Sequence, residues 1–263
     1  MLRFIPIVLG AAAGVLFARE RRIRRSVERL GAATLESLLD AVDANNAETG
    51  AHVRRVATYS LILANAADMD SRECHEVERV ALFHDIGKID GAVSDIVQLS
   101  TILTEKERES IRTHPERGAA VLEPLAAFYP NLPAGVLAHH EWWDGSGYPR
   151  RLKGADIPLS ARLVAIADTF DAITHARAYS EAKTVEEATA VILSGRGTQF
   201  DPELVDIFML PPVQAEIVES MRKALAPRVR PHGRRKTAKK AQDTPDINFR
   251  WRKQSPRLQR EGR

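Results

Sequence analysis

Cysteine is almost missing from this chain: Cys74 is the only one in 263 residues. No disulfide can form within it, and a thiolate metal site has no ligands to build on. Runs of alternating apolar and polar residues are lacking as well, as are internal repeats, which argues against sheet and solenoid architectures. Long hydrophobic runs are also absent. The best, Phe4 to Ala18, is interrupted by Pro6, Gly10 and Gly14, and as a helix it would reach about 22 Å against a hydrocarbon core of roughly 30 Å. What remains, 44% hydrophobic and 28% charged residues, is ordinary globular composition with room for one domain of about 150–200 residues plus appendages.

The net charge of +3 conceals an asymmetry. From Arg222 to Arg263 there are 15 basic residues against 3 acidic ones, whereas the preceding residues carry 23 against 32. The basicity is a property of the tail, which after Pro227 is rich in Arg, Lys, Pro and Gln. With so few apolar residues it cannot offset chain entropy, and is expected to be disordered. Beyond a solubilising role, it suits an anionic membrane surface or nucleic acid. At the other end, five arginines between Arg19 and Arg25 follow the apolar run. Their position disfavours a secretory signal and, by the positive-inside rule, keeps the remainder in the cytoplasm. Residues 1–25 are read as a short anchor to the inner membrane with a basic flank, with a docked helix as the rival. The Gly10/Gly14 spacing is weak ground for a homodimer.

Between about 26 and 221 the periodicity is helical. Leu35, Leu38, Leu39 and Val42 share one face, as do Val56, Tyr59, Ile62 and Leu63, and a last helix is expected over Val213–Leu225. Proline and glycine collect between Tyr129 and Pro158, predicting loops there. The expected fold is an all-α bundle with polar ligands projecting inward from several helices.

Five of eight histidines stand in short, polar-rich motifs: His52, His84, His114, His139 and His140. Glu48 and His52 are four apart and share a helix face, which alone is equally a surface pair. His84-Asp85 cannot share a face, but at a helix end one imidazole and one bridging carboxylate can converge on two ions about 3.5–4 Å apart; in isolation the dipeptide is more often a surface or capping accident. His114, the His139-His140 pair and Asp168 extend the donor set. Imidazole and carboxylate without thiolate suit iron or manganese, with zinc, cobalt and nickel not excluded.

The order of these motifs, Glu48-Thr49-Gly50-Ala51-His52, His84-Asp85-Ile86-Gly87-Lys88, His114-Pro115, His139-His140, then Gly145-Ser146-Gly147-Tyr148-Pro149 and Asp168, resembles the HD-GYP phosphodiesterases of the HD metal-dependent phosphohydrolases. The resemblance spans about Leu35 to Leu210. It implies an HD-type helical bundle, a metal set of Glu48, His52, His84, Asp85, His114, His139, His140 and Asp168, and two or three divalent ions, with Glu48 tilting the count to three. It further implies that Asp85 and Lys88 are catalytic, and that Lys88, Tyr148 and Arg177 grip substrate, with Asp171 orienting a ligand or Arg177. The implied reaction is hydrolysis of a cyclic dinucleotide, cyclic di-GMP first, to linear dinucleotide or GMP by attack of metal-bound hydroxide. A diguanylate cyclase docking on the Gly-Tyr-Pro loop is an implied partner. Rival readings are another cyclic dinucleotide or phosphoester, and a signalling module that binds without turnover. Ser180, where the family commonly has a basic residue, and Ile96-Val97-Gln98-Leu99-Ser100, which lacks the usual Lys-Pro, put substrate preference in doubt rather than chemistry.

Overall fold

A computed structural model of the chain describes residues 5–89, 104–175 and 182–225, all within the first of two units, Met1–Ala226. Arg177, Ser180, the 96–100 stretch and the basic tail past residue 225 lie outside the described residues. Ten α-helices are described, with no named strand among them: α1 Ile5–Asn45, α2 Ala47–Ala66, α3 Ser71–Phe83, α4 Glu105–Arg112, α5 His114–Leu122, α6 Leu132–Ala138, α7 Leu159–Thr174, α8 Val185–Ser194, α9 Pro202–Phe208 and α10 Pro211–Leu225.

Helix starts follow local chemistry. Asp70 with Glu73, Thr104 with Glu107 and Thr184 with Glu187 form reciprocal capping boxes at α3, α4 and α8, each supplying partners for backbone N–H groups that a helix leaves unpaired. Asn46 caps α2 by accepting from the amides of Glu48 and Thr49. α1 is continuous for 41 residues, since the arginine-rich stretch within it has high helix propensity and no proline. One expectation shifts. The segment predicted as loop also contains α6, for Pro133 sits in its first turn, where a missing N–H costs nothing. No helix among the described residues is long and apolar enough to cross a membrane.

α2 is the central element, packed against α1, α3, α7 and α10. Its Val56, Tyr59 and Leu63 are buried with Val80 and Phe83 of α3 and Phe170 of α7, at about 1.5–3 kcal/mol for each large side chain removed from water. Where α1 meets α2, Arg54 pairs with Asp43 in space a Cβ on Gly50 would occupy. After α3 a single 3-10 turn, Ile86–Ile89, packs on the start of α5. A Cβ on Gly87 would collide with the His114 carbonyl oxygen and stand 2.7 Å from the Gly118 nitrogen. Both obstacles are backbone, so Gly87→Ala should lower stability by at least about 1–3 kcal/mol and loosen metal binding by displacing His114. Denaturant unfolding and metal titration check both.

Candidate metal centre

Five elements deliver the polar cluster. His52 comes from α2, His84 caps the end of α3 and Asp85 follows it. His114 opens α5, His139 caps α6 with His140 next in the chain, and Asp168 lies on α7. His52, His84, Asp85, His114 and His139 are all buried, a placement that ionisable groups rarely take without compensation.

The histidines are oriented alike. Nδ1–H of His84 donates to the Ala81 carbonyl (2.7 Å), that of His114 to Ile111 (2.7 Å) and that of His139 to Val136 (2.6 Å). His52 Nδ1–H donates instead to Asp171 Oδ2 at 2.7 Å. With Nδ1 committed in these four, Nε2 is the atom each has left to face the centre. This is the arrangement that fixes the tautomer of a metal-binding imidazole.

Two donor groups result: His52, His84 and Asp85, and His114, His139 and His140, with ligand atoms in each within 4.8 Å of one another. Asp85 reaches both. Its Oδ2 lies 3.7 Å from His52 Nε2 and 3.5 Å from His84 Nε2, while its Oδ1 lies 3.4 Å from His114 Nε2. Asp168 Oδ1 faces the first group, 3.3 Å from His52 Nε2 and 3.9 Å from His84 Nε2. Glu48 is different: it is exposed in the first turn of α2 and belongs to neither group.

Divalent cations fit this set. His114 Nε2 and His139 Nε2 stand 3.1 Å apart, two bare lone pairs facing each other. Burial drives His139 well below the ordinary histidine range, with help from the charges of its histidine neighbours. Burial and the Lys88 charge take His114 down to about 3, so no proton bridges them. His84 Nε2 and Asp85 Oδ1 are buried without a hydrogen-bond partner. Lys88 Nζ is 2.8 Å from each Asp85 oxygen, but its hydrogen bond goes to Oδ2. A buried cluster with opposed imidazole lone pairs, and with His84 Nε2 left without a partner, is costly unless further positive charge sits among them. All donors are nitrogen or oxygen, as hard or borderline divalent ions require.

Sequence reasoning gave Asp171 two alternatives, and the described geometry shows it accepting from His52. Arg55, overlooked in the sequence, grips the same carboxylate with Nε at 2.7 Å and a terminal nitrogen at 2.9 Å. His175 Nδ1 lies 3.1 Å from its Oδ1. Arg55 follows His52 by three residues, so a shared helix face was the available signal. Asp171→Asn should weaken metal binding by about 10–100-fold, because an amide can turn its NH2 toward His52 and oppose the tautomer. Titration with manganese or iron(II) under exclusion of air measures it, and an unchanged affinity would leave Asp171 a purely structural residue.

The loop after His140 is built from its own residues. Buried Glu141 accepts from the amides of Arg150 (2.6 Å) and Leu152 (3.0 Å), and the Tyr148 amide donates to the His140 carbonyl at 3.2 Å. A Cβ on Gly147 would collide with the Trp142 nitrogen and stand 2.6 Å from the His140 oxygen, so only glycine closes the loop this tightly. Closure stacks the Tyr148 ring on His140, centroids 5.0 Å apart. Burial, then the Asp85 charge, pushes the Tyr148 hydroxyl above its ordinary range, which keeps it a neutral donor at the edge of the centre.

Comparison with known proteins agrees with this geometry. The family described as HD domain matches residues 36–204. A 3'3'-cGAMP-specific phosphodiesterase of Vibrio cholerae is 37% identical over 175 residues, covering 66% of this chain and 33% of its own length. The cyclic di-GMP phosphodiesterase response regulator RpfG of Xanthomonas campestris is 38% identical over 192 residues, 72% of this chain and 50% of its own. The chain thus spans between one third and one half of the length of these curated relatives. Among solved structures, a cyclic GMP-AMP-specific phosphodiesterase of V. cholerae superposes with a TM-score of 0.51 at 24% identity, covering 72% of this chain and 49% of that one, and shows the shared fold. With the matched region spanning most of the chain and enclosing both donor groups, the chain belongs to the HD-domain family, in its HD-GYP group.

Proposed function

We propose that this chain is a metal-dependent cyclic dinucleotide phosphodiesterase that opens cyclic di-GMP to the linear dinucleotide or GMP. The observation that carries the reading is Asp85 with its two oxygens facing two separate donor groups. That is the arrangement a pair of ions needs to address both the attacking and the leaving oxygen of a phosphodiester. His52, His84, Asp85 and Asp168 would hold one ion, and His114, His139, His140 and Asp85 the other. Iron or manganese suits these donors, with Glu48 the candidate ligand for a third ion. When bound, divalent ions supply Lewis-acid chemistry at phosphorus and lower the pKa of water from about 15.7 toward about 7.

The chain's own residues do the rest. Asp171 and Arg55 hold the His52 ring in place, and Asp85 stays ionised. Its burial opposes the charge, but Lys88, His84, His114 and His52 together outweigh that and hold its carboxyl well below the usual range. Tyr148, neutral and a donor, would bond a phosphate oxygen. Lys88 offsets charge on the non-bridging oxygens, as Arg177 does in the same proposal. Cyclic GMP-AMP is the second substrate reading, favoured by the Vibrio cholerae relative whose name specifies it.

The chain loaded with manganese or iron(II) and offered both dinucleotides in competition tests the reading. Linear dinucleotide or GMP should form, and should stop on chelation and resume on metal return. Full metal occupancy with neither substrate consumed would overturn it.

A further inference from the structure

Arg112 closes α4, two residues before His114. None of the ion pairs among the described residues engages it. Its guanidinium lies over the Tyr148 ring, 5.6 Å from the centroid, and that ring stacks in turn on His140. The last turn of a helix suits a cation, but the helix terminus asks only for charge there, with no reason to hold it over this ring. The aromatic contact fixes one face of the guanidinium and leaves its N–H edge free to bind. Lys88, by contrast, is committed to Asp85 at 2.8 Å. Among the described residues, the centre therefore has one cation held against its bridging carboxylate and another, two ring contacts out from His140, with no carboxylate paired to it.

A cyclic dinucleotide carries two phosphodiesters, and only one can be at the metals during a turnover. The other remains a full negative charge on the far side of the substrate ring. We infer that Arg112, steadied by Tyr148, is a substrate-binding residue that takes this second, non-scissile phosphate. It thereby favours substrates with two phosphodiesters over those with one. The inference rests on the phosphodiesterase reading above and adds a specificity residue to it. Guanidinium on phosphate is a two-point, charge-assisted contact, so its loss should fall on binding more than on the bond-breaking step.

Arg112→Ala and Arg112→Lys, made in the full chain, would be compared with the parent on cyclic di-GMP, 3'3'-cyclic GMP-AMP and bis(p-nitrophenyl) phosphate, which has a single phosphodiester. Metal content would be measured for each protein. For Arg112→Ala, KM for the parent's preferred cyclic dinucleotide should rise by about 10–100-fold, with kcat within a few-fold and metal content retained. The KM change for bis(p-nitrophenyl) phosphate should be at least several-fold smaller, and lysine should restore part of the loss. Equal KM changes for the one- and two-phosphate substrates, no change in either, or a fall in bound metal would each overturn the assignment. A parent that cleaves bis(p-nitrophenyl) phosphate and neither dinucleotide would instead overturn the substrate reading, and this inference with it.

Discussion

An Asp85→Ala protein is expected to fold, to bind little metal at either donor group, and to show no phosphodiesterase activity above the metal-free level. The loss should be at least about a thousandfold, beyond the hundred- to thousandfold typical of deleting one preorganised donor, because a single side chain serves both groups here. Its Oδ2 faces His52 and His84, and its Oδ1 faces His114. Asp168 faces the first pair, whereas Asp85 has an oxygen toward each group. Removing it also strips Lys88 of its partner and leaves that ammonium beside the remaining imidazoles, which disfavours cations further. Asp85→Asn separates charge from shape: it keeps the volume, and should still lose most bound metal. Elemental analysis and product formation, run on the same preparations, decide the matter. Parent levels of both in Asp85→Ala would remove the basis of the two-ion reading.

The two donor groups should load with different dependence on pH. Metal-free His52 is buried, which by itself disfavours its charge. Hydrogen bonds to Asp168 and Asp171, with the charges of Asp168 and Asp85, outweigh this and raise it to about 9. A metal entering that group must displace a proton, so its affinity should climb by about tenfold per pH unit between pH 7 and 9. His114 and His140 are taken the other way by burial first: His114 to about 3 with the Lys88 charge adding to it, and His140 to about 4 despite the nearby Asp168. They are neutral throughout that range, and their group should load almost independently of pH above about 6.

Stability of the metal-free fold follows from the same shifts. Because folding raises the His52 pKa from 6.5 to about 9, its contribution is complete below pH 6.5 and is lost as pH rises through 9. The lowered histidines behave oppositely, contributing fully above pH 6.5 and losing this as pH falls toward about 4 and 3. Metal titrations at pH 6.5, 7.5 and 8.5, with thermal unfolding of the metal-free protein alongside, read both. Two groups with one common pH slope would contradict the opposed charge states of His52 and His114.

The sequence by itself determined what depends on neighbours in the chain. Helical periodicity around Leu35 and Val56 and the identity and order of the donor motifs are written within a few residues of each other, and the capping boxes found at Asp70, Thr104 and Thr184 are equally local. Gly147 itself stands in the motif, but the need for glycine there comes from collision partners, Trp142 and His140, that appear only in the folded loop. Helix limits that depend on the absence of a breaker, as in α1, or on a proline that starts rather than stops a helix, as in α6, were less legible because the same residues permit either outcome.

The tertiary structure alone decided who faces whom. The Asp171 contacts to His52 and Arg55 span more than a hundred residues, and exist because α2 packs along α7. The division of the histidines into two groups, with one carboxylate between them, depends on the 3-10 turn at Gly87 meeting the start of α5. The same packing leaves Glu48 exposed, one turn from His52, and brings Arg112 over Tyr148. Local rules determine which helices form and which donors they carry. The burial of apolar faces determines how those helices are set against one another, and that alone selects the atoms that converge.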